Sequence, residues 1–174
     1  MAESNKKSQF EVLVIPHMSA AYNLARWLTR NEQDTEDVVQ EAFLRAYRFF
    51  EGVRGSDYRS WLLTIVRNTC YSWLQQNRRL TETLDEDVAE PAASQSNPEV
   101  LLMRNVDTEL LRQAVEQLPV EFREAIVLRE LEGLSYKEIS AITSMPLGTV
   151  MSRLARARDR LHKALSIRMK GGAA

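Results

Sequence analysis

Covalent chemistry needs groups that exchange protons, attack a substrate or hold a metal, and this chain offers few of them in useful combinations. Its two histidines, His17 and His162, are isolated, with no glutamate or second histidine at metal-ligand spacing. The one cysteine, Cys70, cannot make an intrachain disulfide, and it lies in an apolar helical pattern where a thiol reads as a small buried hydrophobe. There is no glycine-rich phosphate loop and no nucleophile elbow. Adjacent acids such as Glu36 and Asp37 sit where the first turn of a helix favours negative charge. No catalytic residue, no metal site and no cofactor are therefore expected. The chemistry that the residues do support is binding by guanidinium groups. After Gly148 the bases are Arg153, Arg156, Arg158, Arg160, Lys163, Arg168 and Lys170, against the single acid Asp159. Such groups suit phosphates and base edges.

The stretch that carries these arginines runs from Leu134 to Arg160. A short helical pattern covers Tyr136 to Ile142, with Ser135 and Glu138 spaced as a capping box. A break follows at Thr143-Ser144-Met145-Pro146, and a second, basic helical pattern starts near Leu147. Two helices joined by a tight turn suggest a helix-turn-helix whose second helix enters the DNA major groove. Ile139, Ile142, Val150 and Leu154 would form the small core that sets the angle between them.

The net charge of -1 in 174 residues conceals this basic end, because the middle of the chain is acidic. Between Leu80 and Asp107 the acids Glu82, Asp85, Glu86, Asp87, Glu90, Glu99 and Asp107 face only Arg104. That stretch also holds Pro91 and Pro98 and lacks periodicity, so residues 80–105 read as a flexible acidic interdomain linker. Six glycines and five prolines favour helices over short strands. No apolar run approaches the ~18 residues that a membrane span needs, and no secretion signal is evident. A reducing, cytoplasmic setting fits the single cysteine.

Upstream of the linker, residues 1–9 are polar and expected to fray, and Phe10 to Thr29 reads as a helix with Pro16 near its start or at a kink. Asn31-Glu32-Gln33 reads as a loop. Asp34 or Thr35 is expected to cap a second helix reaching Phe50. Val39, Phe43, Ala46 and Phe50 would face its core, while Asp37, Glu41, Leu44 and Arg48 form the opposite strip. Spacing alone leaves two readings of that strip: a solvated face with a stray leucine, or a docking strip for a partner helix. A third helix is expected from Tyr58 to about Arg79. Its Arg59, Arg67, Asn68, Tyr71, Arg78 and Arg79 either contact nucleic acid or belong to a packing helix with solvated arginines. Beyond the linker, residues 106–168 form the second unit, with a helix ending before Pro119 and another stopped by Gly133.

Four motifs in order, DTEDVVQEAFLRAYRFF (34–50), SWLLTIVRNTCYSWLQQNRR (60–79), LPVEFREAIVLRELEGLSYKEIS (118–140) and MPLGTVMSRLARARDRL (145–161), resemble the extracytoplasmic-function (ECF) group of bacterial RNA polymerase sigma factors. The resemblance implies an all-α fold of two small helical domains joined by the linker: residues 10–79 bind core polymerase and melt the -10 element, and residues 106–168 read the -35 element. It implies that Asp37, Gln40, Glu41, Leu44 and Arg45 grip the clamp helices of the largest polymerase subunit. It places Asn68, Tyr71 and Ser72 where -10 readers lie, with Arg67 on phosphate, and Thr149, Ser152, Arg153 and Arg156 in the -35 groove. A non-template base would be flipped into a loop pocket after Phe50. The implied partners are core RNA polymerase, promoter DNA and an anti-sigma protein, with no membrane contact of the chain's own. The chain departs from the family pattern at Ser144, where a glycine is common in the turn and a left-handed conformation is expected. It departs again at Met151 and Ala155 on the recognition helix, and in a slightly short loop at 52–57. The rival reading is a stand-alone helix-turn-helix regulator, which leaves the first half without a task.

Overall fold

The computed structural model describes residues 1–84 and 106–171, and among them the secondary structure is entirely helical. The helices are α1 (Ala2–Leu13), α2 (Met18–Thr29), α3 (Glu32–Phe49), α4 (Tyr58–Leu84), α5 (Val106–Glu116), α6 (Val120–Ile126), α7 (Tyr136–Thr143) and α8 (Leu147–Gly171). Residues 85–105, most of the expected linker, lie outside the described residues, as do residues 172–174 of the expected tail.

Several boundaries differ from the sequence reading. The polar start is helical rather than frayed, because Phe10 is buried and makes edge-on contacts with Phe43, Tyr47 and Phe50. Pro16 does not kink a continuous helix. It sits inside a 3-10 turn, Ile15–His17, that separates α1 from α2. The cap of α3 is Asn31, whose Oδ1 accepts from the Asp34 amide at 3.1 Å, so Glu32 and Gln33 are helical and not loop. Thr35, offered as a cap, is instead buried, and its hydroxyl is 2.7 Å from that of Thr29. The third helix runs on past Arg79 to Leu84, which takes its end into the segment read as linker.

The first four helices pack around Leu24, Leu28, Val38, Ala42, Ala46, Leu62, Leu63, Val66 and Cys70, all essentially inaccessible. On α3 the buried line is Val38, Ala42 and Ala46, while Val39 and Phe43 are only partly covered. The second unit folds on Leu128, Leu134, Ile139, Ile142, Val150 and Leu154, so the four residues expected to brace the helix-turn-helix are all buried. The capping box at Ser135 is present in both directions, at 3.1 Å each. Ser144 is left-handed at φ 57°, ψ 32°, as its place in the turn predicts.

The two units are closed on each other. Their buried residues form one continuous cluster, from Phe10 and Cys70 on one side to Leu128 and Ile139 on the other. Helix α4 packs along α7, and α2 packs along α6. Trp27 of α2 also touches a smaller cluster of Val115, Leu118, Ile126 and Ala157. A π-helical turn, Val127–Leu131, follows α6, and Gly133 (φ 67°) ends it. This wide turn brings Glu132 against α2 and α4.

Candidate nucleic-acid interface

On α3 the structure places Asp37, Gln40, Glu41, Leu44 and Arg45 together on one exposed face. Asn31 and the acids Glu32 and Asp34 set the start of the helix, and the buried Val38-Ala42-Ala46 line turns the opposite face outward. Leu44 is 65% exposed, far more than an apolar side chain on a packed helix needs. Arg45 reaches back one turn to Glu41 at 2.5 Å, and both remain largely in solvent. Partial burial and then the neighbouring Asp37 raise the Asp34 carboxyl above its ordinary value. Sequence reasoning missed Phe49, which is 60% exposed one turn beyond Arg45 and adds a second apolar contact at the same end.

On α8, Thr149, Ser152, Arg153 and Arg156 line one shallow groove with Glu121 and Phe122 of α6. Val150, Leu154 and Ala157 anchor the helix from its other side. Four of the other bases of this helix have occupations of their own. Arg158 pairs with Glu130 at 2.7 Å, and Lys163 pairs with Asp159 at 3.0 Å. Arg160 lies over the Phe122 ring at 4.8 Å, and Arg168 donates to Gln113 at 3.0 Å. Among the described residues no hydrogen bond or ion pair of the Arg153 or Arg156 side chain is present, so their guanidinium groups are available to a ligand. Met151 is 51% exposed and Ala155 is exposed.

The candidate readers on α4 are divided. Asn68 and Ser72 are exposed, whereas Arg67 and Tyr71 are half-buried at the seam between the units. Arg67 Nε donates to Glu124 Oε1 at 2.7 Å, and the Tyr71 hydroxyl donates to Glu124 Oε2 at 2.5 Å. The Arg67 guanidinium also stacks over the Tyr71 ring at 4.1 Å. Glu124 is 1% exposed, so α6 supplies a fully buried carboxylate to two donors on α4. Burial and then the same carboxylate drive the Tyr71 hydroxyl well above the ordinary phenol range.

A parallel contact lies nearer the start of α4. Glu132 accepts from Asn23 Nδ2 at 2.7 Å, and its carboxylate stands 3.3 Å from Arg59, which also donates to the Glu132 carbonyl at 2.5 Å. Arg123 crosses the seam as well. It donates to the carbonyls of Glu116 and Leu118 within its own unit and to the carbonyl of Leu28 in the other, at 3.3 Å. Burial and then the nearby Arg30 lower its guanidinium to about 10.

Between these contacts opens a cleft of about 1020 Å³, lined by Asn68, Tyr71 and Ser72 together with Arg30, Arg78 and Glu121. Sequence reasoning did not single out Glu124, Glu132, Asn23 or Arg123. One signal for Glu124 was present: it falls three and four residues before Val127 and Leu128, on the apolar face of a short helix, where a charge demands a partner. Among the described residues no group of His, Cys, Asp and Glu is arranged to hold a metal. No described helix is long and apolar enough to cross a membrane.

The Sigma-70 region 2 family model matches residues 13–80, and the Sigma-70, region 4 model matches residues 108–161. The chain is 36% identical over 167 residues to the ECF RNA polymerase sigma-E factor of Escherichia coli strain K12, covering 90% of this chain and 86% of that one. It is also 36% identical over 158 residues to the ECF RNA polymerase sigma factor SigE of Mycolicibacterium smegmatis, covering 90% of this chain but 62% of that longer relative. Among solved structures it is similar to the sigma factor RpoE of Bartonella quintana, determined in complex with the anti-sigma factor NepR, with a TM-score of 0.78 and 29% identity over 91% of this chain and 98% of that one. CnrH, solved with the cytosolic domain of CnrY, shares the fold at a TM-score of 0.66 and 24% identity, over 92% of this chain and 90% of that one.

Proposed function

The chain belongs to the ECF group of RNA polymerase sigma factors, and from that premise we propose that it docks on core polymerase through α3, reads the -35 element with α8 and engages the -10 element with α4. The observation that carries the reading is the coexistence of three separate surfaces of the right chemistry on one chain. The α3 strip is apolar and charged in the manner of a helix-docking face, with Leu44 at its centre. The α8 groove presents Arg153 and Arg156, with Thr149 and Ser152 as short hydrogen-bonding neighbours, which suits base edges and phosphates. The α4 set, Arg67, Asn68, Tyr71 and Ser72, combines a cation, an amide, a hydroxyl and an aromatic face, the inventory that holds unpaired bases. A stand-alone regulator would need only the second of these.

In this reading the protein performs no covalent chemistry. Docking energy at α3 and contacts at -35 are spent on separating the strands at -10, where an unstacked base costs a few kcal/mol and is held by stacking and edge contacts. It works in the cytoplasm, where core polymerase and promoter DNA are. The units proposed for these tasks are residues 10–79 and 106–168, joined by 80–105. Control by an anti-sigma protein is part of the proposal, supported by the solved relative held by NepR.

The deciding experiment mixes the protein with core polymerase and a supercoiled promoter library and sequences the transcripts. Initiation at a defined set of sites sharing -35 and -10 sequences is expected. Initiation no different from core polymerase alone refutes the proposal.

A further inference from the structure

Leu147, Met151 and Ala155 follow one another at one-turn spacing on α8, and all three are exposed. Leu147 is 48% and Met151 51% exposed, and neither belongs to an apolar cluster of the protein. The buried line of the helix, Val150, Leu154 and Ala157, fixes which side faces outward. At about 100° per residue, Ser152, Ala155 and Arg156 point away from that line, and Met151 borders them. Ala155 stands three residues from Ser152 and four from Met151, so on the helix surface it neighbours both. The outward face of α8 is therefore polar on one flank and apolar on the other. An apolar flank left in water is favourable only once a partner covers it.

The neighbours of this flank identify the partner. The Arg153 and Arg156 side chains make no hydrogen bond or ion pair among the described residues, and Thr149 and Ser152 bring hydroxyls to the same groove. Asp159, the one acid of this helix, is paired with Lys163. Covering the strip with apolar protein would bury two unpaired cations beside it, which is costly, whereas nucleic acid supplies the phosphates and base edges that satisfy them. In the major groove the bases offer one apolar group, the C5-methyl of thymine. Methionine is long, unbranched and polarizable, which suits it to follow such a methyl. Ala155 has no atom beyond Cβ, so it leaves room for a base edge and adds a methyl of its own.

We propose that Met151 and Ala155 form a thymine-methyl reader on α8, which adds to the hydrogen-bonding readout by Ser152 and Arg156 a demand for thymine at adjoining base pairs. The proposal takes α8 as the -35 reader and names what part of that element it selects. Neither side chain carries a proton to donate, so the strip gains on the thymine methyl. It gains nothing on cytosine, whose amino group it leaves unpaired.

The test removes the methyl and the side chain in turn. Duplexes randomised over the -35 region are selected with the full chain bound to core polymerase. Each thymine of the selected site is then replaced singly by deoxyuridine, which lacks only the methyl, and the two duplexes compete for the complex. At one thymine or more, deoxyuridine is expected to bind about three- to fivefold more weakly, the amount that one buried methyl carries. In Met151→Ala that preference is expected to vanish at one of these thymines. Met151 touches no buried cluster, so the variant keeps its fold. Met169→Ala, at the far end of α8 and 66% exposed, is the control expected to keep every preference. Equal binding of thymine and deoxyuridine throughout, or a selected site without thymine, overturns the methyl reader and leaves α8 as the -35 reader. Preferences that all persist in Met151→Ala assign the methyl to DNA shape or another contact and overturn it too. Weaker core-polymerase binding by Met151→Ala with the preferences intact makes the strip a protein-docking face, which also overturns it. If no -35 sequence is selected at all, the function proposal fails and the reader falls with it.

Discussion

Truncating Leu44 is the most direct measure of the α3 surface. Full burial of a leucine side chain is worth ~1.5–3 kcal/mol. Leu44 is 65% exposed, so a partner helix that covers the remainder gains about 1–2 kcal/mol from it, nearly all of which Leu44→Ala forfeits. That corresponds to a dissociation constant for core polymerase raised about 5–30-fold. The fold itself should hardly notice, because substitutions at exposed positions away from caps and buried networks lie within about ±0.5 kcal/mol. The Glu41–Arg45 pair beside it is exposed on both sides, so its loss alone should matter far less than the loss of the leucine. Interferometry with immobilised core polymerase measures the affinity, and urea unfolding of the free protein checks the fold. Affinity within twofold of the wild type, with an unchanged urea midpoint, refutes α3 as the docking face.

Three further outcomes are expected. Arg153→Ala or Arg156→Ala should weaken binding to a selected -35 duplex by ~1–3 kcal/mol if the side chain reads a base, and equal loss on unrelated duplexes would assign it to phosphate. Ser144→Gly should raise the urea midpoint by an amount equivalent to roughly 0.5–1 kcal/mol. Relief of a left-handed residue (φ 57°) outweighs the extra chain entropy of glycine, and a lowered midpoint would mean the serine has a compensating role. Burial, with the Glu124 carboxylate behind it, pushes the Cys70 thiol up to about 12. The folded protein therefore keeps this proton while the unfolded chain loses it near pH ~8.5, so the stability it contributes is complete below that pH and declines as pH rises toward the folded value. Urea stability should drop by about 1 kcal/mol between pH ~8 and ~9.5, and Cys70→Ala should abolish that drop; persistence of the drop in the variant would assign it elsewhere.

The helical class and the position of the second motif helix are legible in the sequence because they depend on local rules, whereas the roles given to the three candidate surfaces come from the family resemblance. Periodicity places Val150 and Leu154 inside, and the structure lines one groove with Thr149, Ser152, Arg153 and Arg156, the set that the resemblance implies. The capping box at Ser135 and the left-handed Ser144 likewise follow from chemistry within a few residues. The errors arise where a local rule meets a distant partner. The polar N-terminus is helical because Phe10 finds Phe43, Tyr47 and Phe50, a contact that no local pattern announces. Thr35 is drawn away from capping by Thr29 on the preceding helix.

The relation between the two halves was decided by tertiary structure alone. Read in one dimension, an acidic interruption separates two units, and Arg67 and Tyr71 stay open between nucleic-acid contact and helix packing. In three dimensions the apolar faces of α4 and α7 meet, the core runs through both units, and Glu124 is delivered to Arg67 and Tyr71 across 57 and 53 residues of chain. Sequence dictates which faces of a helix are apolar or charged, since that is set by 3.6-residue periodicity. It does not dictate which face meets which, since pairing distant faces depends on the summed burial and desolvation of the whole assembly. The sequence by itself thus determined which helix faces are apolar and which are charged, and the tertiary structure decided which of those faces are covered.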